Sequence, residues 1–184
     1  MDLGSNIRAL RLQRGLTLDD LAECTGVSRA MLSDIERGTK NPTIKVVCQI
    51  AEVFGYTVSQ LLGEDDRDER TVVVIRREER HVLVEPQTGV ERHLLSPGFV
   101  QRGLEVIWYV VPPGQTGSFP AHRHNTMEHI TVIKGCLKYA VGDIEGILEE
   151  GDSIFFAADV THDFYNPGTE SSHFFLVIDS TAVG

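Results

Sequence analysis

The chain has little that would staple, export or uniformly charge it. Its three cysteines, Cys24, Cys48 and Cys136, are odd in number and form no Cys-x-x-Cys pair. This argues against a disulfide framework and a dithiol redox site, and buried free thiols are expected. No apolar run approaches the length needed to span a bilayer, and Met1-Asp2-Leu3-Gly4-Ser5 lacks the basic start and apolar core of an export signal. A cytoplasmic protein with no membrane partner is expected. Positive charge is also scarce: the formal net charge is −10, which by itself argues against nucleic acid, because phosphate neutralisation supplies most non-specific DNA affinity.

That average conceals a division. Through Leu62, the basic residues Arg8, Arg11, Arg14, Arg29, Arg37, Lys40 and Lys45 balance Asp2, Asp19, Asp20, Glu23, Asp34, Glu36 and Glu52. The whole acidic excess therefore follows Leu62, and a neutral N-terminal module precedes an acidic C-terminal one, so DNA binding by the first should be modest and salt-sensitive. A length of 184 residues, 41% apolar and 24% charged, suits one large or two small globular domains.

Residues 5–62 read as short helices. Leu3, Ile7 and Leu10 share one helical face before Gly15. Thr17-Leu18-Asp19-Asp20 has the pattern of a capping box with aspartate in place of glutamate, and Leu18, Leu21, Ala22 and Thr25 follow at helical spacing up to Gly26. Ser28 is suited to cap a third helix carrying Leu32 and Ile35 inward and ending at Gly38. Pro42-Thr43 opens a fourth, with Ile44, Val47, Cys48 and Ala51 on one stripe and Gly55 at its end, and Ser59–Leu62 makes a short fifth turn.

The turn Thr25-Gly26-Val27 joins two of these helices. With Arg11–Thr17, Leu21-Ala22, Gly26-Val27-Ser28, Ile35-Glu36-Arg37-Gly38 and Pro42, it resembles the phage-repressor-like (XRE/HTH_3-type) helix-turn-helix family over residues 5–62. The resemblance implies that the helix after Ser28 enters the major groove of a double-stranded operator. Arg29, Ala30 and Asp34 then face bases, and Ser28, Ser33, Arg37, Thr39, Lys40 and Asn41 face phosphates. Arg29 suits guanine O6 and N7, whereas Ala30 offers only a methyl contact to thymine. Arg11 and Glu36 match a pair the family uses structurally and are not expected to touch DNA. Leu18 departs from the family's frequent glutamine and removes one contact.

Residues 64–70 are charged, lack an apolar period and read as an exposed linker. The sequence thus divides into a helical domain at 1–63, the linker, and a strand-rich domain at 71–184. Strand-like runs are Thr71–Ile75, Arg80–Val84, Val90–Leu95, Leu104–Val111, Ile130–Ile133, Leu137–Val141, Ile144–Leu148, Ser153–Phe156 and Phe174–Ile178, punctuated by Gly and Pro turns, as in a sandwich or barrel.

Within that region, Pro120–His124 read with the strand period of two places His122 and His124 on one face. Glu128 and then His162 follow, and three imidazoles with one carboxylate suit a borderline divalent transition metal. His129 alternates to the opposite face, and His81, His93 and His173 have no partner at useful spacing. His122, His124, Glu128 and Gly135, then Gly151, His162 and Asn166, resemble the two motifs of the cupin family of small jelly-roll barrels. Thr116 stands where the leading glycine is usual, and Ala157 and Asp159 where proline and glycine are usual. The resemblance implies a metal held by all four ligands, with zinc expected as purified and iron, manganese or nickel as alternatives.

A phage-repressor-like helix-turn-helix followed by a cupin looks like a class of bacterial one-component regulators. What this implies is a homodimeric, sequence-specific DNA-binding transcriptional regulator. Its cupin domain senses a small metabolite, an amino acid or related carboxylate, and modulates operator binding. Strand exchange near Thr71–Ile75 is one device for dimerisation. The competing expectation is a metal-dependent cupin enzyme, a dioxygenase or isomerase carrying a DNA-binding module. No added acid or base stands at an interpretable spacing, so no catalytic residue is assigned.

Overall fold

A computed structural model of the chain describes residues 3–62, 73–96, 103–119 and 121–180. They divide into two compact units, with the boundary between Val73 and Val74. The charged segment read as a linker, and Thr71 and Val72, lie outside the described residues. Val73–Ile75, expected as part of a strand, is irregular within the single chain. Among the described residues, no helix is long and apolar enough to cross a membrane.

Among the described residues, the first unit has five helices: α1 (Leu3–Gln13), α2 (Leu18–Thr25), α3 (Arg29–Glu36), α4 (Ile44–Phe54) and α5 (Val58–Leu61). Their ends are set by local chemistry. The Thr17 hydroxyl accepts from Asp20 N while Asp20 accepts from Thr17 N, so aspartate completes the capping box despite its shorter reach. Ser28 caps α3 and Thr43 caps α4. Thr57 and Gln60 form a second box at α5, which moves that helix one residue earlier than expected. Gly26 and Gly55 stop α2 and α4 at φ near 69°, a left-handed geometry favouring glycine. Ile7, Leu21, Leu32, Ile35, Val47, Ile50, Phe54 and Leu61 form the core. Cys24, in contrast to expectation, is exposed, because α2 buries Leu21 and Thr25 and turns the intervening positions outward.

Two features lock α1 onto this core. Arg11 reaches Glu36 with Nε and Nη2 at 2.7 and 2.9 Å, and its Nη1 donates to Leu16 O at 2.8 Å. Gly4 packs on the end of α3, where an added Cβ would run into the Ile35 carbonyl oxygen and lie 3.3 Å from the Glu36 carbonyl carbon. Those are backbone atoms and cannot rotate aside. Gly4→Ala is therefore expected to destabilise the helical unit by about 1–3 kcal/mol, although alanine is the better helix former by about 1 kcal/mol. Thermal unfolding followed by circular dichroism checks the sign, and a more stable variant would contradict the close approach.

Among the described residues, the second unit has ten antiparallel strands in two sheets. One sheet has the order β1-β2-β3-β10-β5-β8 and the other β4-β9-β6-β7. The strands are β1 (Val82–Val84), β2 (Glu91–Leu94), β3 (Leu104–Val111), β4 (Thr116–Phe119), β5 (Met127–Lys134), β6 (Leu137–Val141), β7 (Ile144–Leu148), β8 (Ser153–Ala157), β9 (His162–Tyr165) and β10 (Ser172–Asp179). Alternation sorts their faces: Ile107, Tyr109 and Val111 on β3, Ile130 and Val132 on β5, and Phe174 and Leu176 on β10 are buried. Arg92 and Glu105 also point inward and pair at 2.6 Å. β4 and β9 have only four residues each, and strand patterning alone did not reveal them.

Asn166, just after β9, is fully buried. Its amide donates to Val111 O and Glu170 O, and its oxygen accepts from Gly168 N, each at 2.8 Å. The residue that the second cupin motif singles out is thus a structural tie, holding the β9–β10 turn to the end of β3.

Candidate metal centre and nucleic-acid face

His122, Glu128 and His162 converge in the β unit, with one ligand atom from each lying within 4.8 Å of the others. Each comes from a different element. His122 follows β4 in a loop pinned to the end of β8, its N–H donating to Ala158 O at 2.8 Å, while Ala158 N donates back to Thr126 O at 2.9 Å. Glu128 is the second residue of β5 and faces inward, opposite to exposed His129. His162 opens β9 and is buried.

Glu128 lies between the two imidazoles, with Oε1 3.0 Å from His122 Nε2 and Oε2 3.5 Å from His162 Nε2. Burial pushes its carboxyl up, but hydrogen bonds from His122 and His162 and their positive charge outweigh burial and hold it at about 2. His162 is oriented from behind, its Nδ1 lying 2.9 Å from Val160 O. In the tautomer with the proton on Nδ1, neutral His162 turns its Nε2 lone pair toward Glu128 Oε2 in place of a donor. Two facing lone pairs require a proton or a cation between them. Two nitrogens and a carboxylate suit a divalent transition metal with positions left open.

His124 does not join them. The strand expected over residues 120–124 ends at Phe119 instead, and the chain turns at His124-Asn125, with Asn125 in the left-handed region at φ 68°. Once the chain turns, the period of two no longer governs, and His124 projects outward, 84% exposed, with Nδ1 2.9 Å from Asp159 Oδ2. In this geometry three of the four expected ligands converge and His124 stands apart from them. Asparagine tolerates left-handed backbone, so Asn125 was the sequence signal for this turn. The Val160 carbonyl that orients His162 carries no sequence signature.

In the helical unit, Ala30, Ser33, Asp34 and Arg37 recur on one side of α3, opposite to buried Leu32 and Ile35. Ser28, Arg29, Ala30, Arg37, Thr39, Lys40 and Asn41 are exposed, and Ser33 and Asp34 are half-buried. Two of the arginines are already paired: Arg29 Nε lies 3.1 Å from Asp19, and Arg37 Nη2 lies 2.7 Å from Asp34. These acidic partners, unrecognised from sequence, neutralise part of the face.

Residues 7–61 match the HTH_3 helix-turn-helix family, and residues 107–178 match the Cupin_2 cupin domain family. Over 176 residues the chain is 31% identical to the HTH-type transcriptional regulator SutR of Escherichia coli, spanning 96% of this chain and 93% of that protein. The chain belongs to the HTH-type transcriptional regulators that carry a cupin domain. A solved HTH_3 family transcriptional regulator from Vibrio cholerae is 28% identical and superposes with a TM-score of 0.78 over 96% of this chain and 94% of that one. The iron(II) form of the enzyme HppE, 21% identical with a TM-score of 0.51 over 96% of this chain and 97% of that one, shares the fold alone.

This transcriptional regulator surrounds its histidine pair with aromatic side chains. Phe156 meets His162 edge-on at 5.4 Å and Phe164 lies 5.8 Å from it, while His122 and His162 stack at 5.7 Å. Phe164 continues through Phe174 to Tyr109, so the site adjoins the apolar core. Trp108 lies on the other face of its sheet, stacked on His93, and Phe155 is exposed. These aromatics are separated by strand alternation.

Proposed function

We propose that this regulator reads operator DNA with α3 and binds one divalent transition metal through His122, Glu128 and His162. A small metabolite then occupies the metal's remaining positions and changes operator affinity. The convergence of those three side chains carries the reading. A divalent ion beside one carboxylate and two neutral imidazoles retains a net positive charge, which favours an anionic ligand such as an amino acid or carboxylate. Zinc is the metal we expect on purification, with iron, manganese or nickel as alternatives. An effector shifts DNA binding only by its differential affinity for the two states, typically about 1–3 kcal/mol.

Homodimerisation belongs to the same proposal, because related heads read half-sites about one helical turn apart. It is supported by the outer face of the six-stranded sheet, where Val82, Val84, Ile133, Phe155 and Phe175 are exposed on strands whose paired residues share that face.

The test combines metal analysis of the purified protein with light scattering and DNA binding to duplexes selected from a random pool. Binding is measured with the metal present or chelated and across a panel of amino acids and carboxylates. A dimer whose DNA affinity responds to one panel member only when metal is present supports the proposal. A response unaffected by chelation removes the metal from it, and the absence of any selected sequence removes the operator.

The donor set also fits an enzyme, since two histidines and one carboxylate are the ligands of many iron oxygenases. Consumption of a panel compound by the anaerobically iron-loaded protein on admission of oxygen would favour that second reading.

A further inference from the structure

Arg29 is the first residue of α3, where the positive end of the helix disfavours a cation. Asp19 lies in the first turn of α2, where a carboxylate is favoured, and that turn is fixed by the Thr17–Asp20 box, with bonds of 2.8 and 3.1 Å. The two charges meet across the helix pair, with Arg29 Nε 3.1 Å from Asp19 Oδ1. Both side chains are mostly exposed, 63% and 75%, so the pair adds little to folding stability. Its effect is to give a long side chain a direction.

The atom engaged matters. The closest approach is at Nε, the guanidinium nitrogen outside the Nη pair that guanine O6 and N7 accept in the major groove. Arg37 differs, because Asp34 takes its Nη2 at 2.7 Å and so uses one member of that pair. Arg29 is approached instead at Nε, outside its Nη pair.

We propose that Asp19 is a positioning residue for base recognition. By holding Arg29 through Nε, it aims the Nη edge at a guanine and sets the preference at one base pair of each half-site. The inference rests on the operator-binding reading above. It has a consequence that structural support alone would not produce. The Asp19 carboxylate also repels nearby phosphates, so removing it should strengthen binding to arbitrary DNA while weakening discrimination at one position.

The experiment uses the full chain and a random duplex pool, with wild type, Asp19→Ala, Asp19→Glu and Arg29→Ala selected in parallel. Affinities are then measured for the enriched duplex and for the same duplex with the guanine replaced. Wild type is expected to enrich a guanine that Arg29→Ala loses. Asp19→Ala should unfold at the wild-type temperature, lose about fivefold or more of the guanine preference, and bind arbitrary duplex more tightly. Asp19→Glu should restore part of the preference. The inference is overturned alone if wild type and Asp19→Ala show the same preference, or if Arg29→Ala keeps the guanine. A wild type that enriches no sequence overturns the operator reading together with it.

Discussion

Replacing Arg11 with alanine will destabilise the helical unit by about 3–5 kcal/mol, the cost of stranding a buried charge. Glu36 is the group left behind. Its side chain is only 6% exposed, and the arginine fork satisfies both carboxylate oxygens, at 2.7 and 2.9 Å. The same substitution removes the 2.8 Å bond to Leu16 O, which ties the α1–α2 connection to α1. Arg11→Lys keeps the charge but has one ammonium where three guanidinium nitrogens bond, so it should fall between wild type and alanine. The double variant Arg11→Met, Glu36→Leu should recover much of the loss, because replacing both partners leaves no uncompensated charge. Denaturant unfolding of the full chain, followed by helical circular dichroism, measures all three. If Arg11→Ala unfolds at the wild-type midpoint, the pair has no stabilising role.

Glu128→Gln will reduce metal affinity by more than the roughly 10–100-fold typical of disturbing an outer partner, because it removes the one anionic donor of the site. The substitution preserves shape, so the buried position stays filled. Titration of chelator-stripped protein with zinc, read calorimetrically, gives the ratio; equal affinities would take Glu128 out of the ligand set.

The metal-free protein offers a second readout. Glu128 is held at about 2 against an ordinary value of 4.5, so its folded carboxyl binds a proton less readily than its unfolded one. The stability this supplies is fully present above the unfolded value and is lost as pH falls from there toward about 2. Glu128→Gln removes that contribution, so unfolding free energy should fall less steeply with acid between about pH 5 and pH 2. An unchanged slope would mean that Glu128 is not held between the imidazoles.

Much of the helical unit is legible without coordinates, because its signals are local. A capping threonine lies within one turn of the N–H it satisfies, and a glycine stop at Gly26 or Gly55 depends on its own φ. Three strands were equally plain: Leu104–Val111, Leu137–Val141 and Ile144–Leu148 form with the bounds expected of them. β4 and β9 were not, since their four residues draw their pairing from each other and from β6, far away in sequence.

The candidate metal centre shows where the boundary falls. Sequence alone determined the residue types, the two-domain order, and the inward setting of Glu128, because alternation along β5 is a property of one strand. Only the tertiary structure decided which histidines meet it. His122 and His124 are two residues apart, yet β4 ends before both of them, and one faces inward and the other solvent, while His162 arrives from a strand of the opposite sheet. A period fixes direction only while the backbone remains regular. Beyond a turn, the packing of distant strands determines where a side chain points.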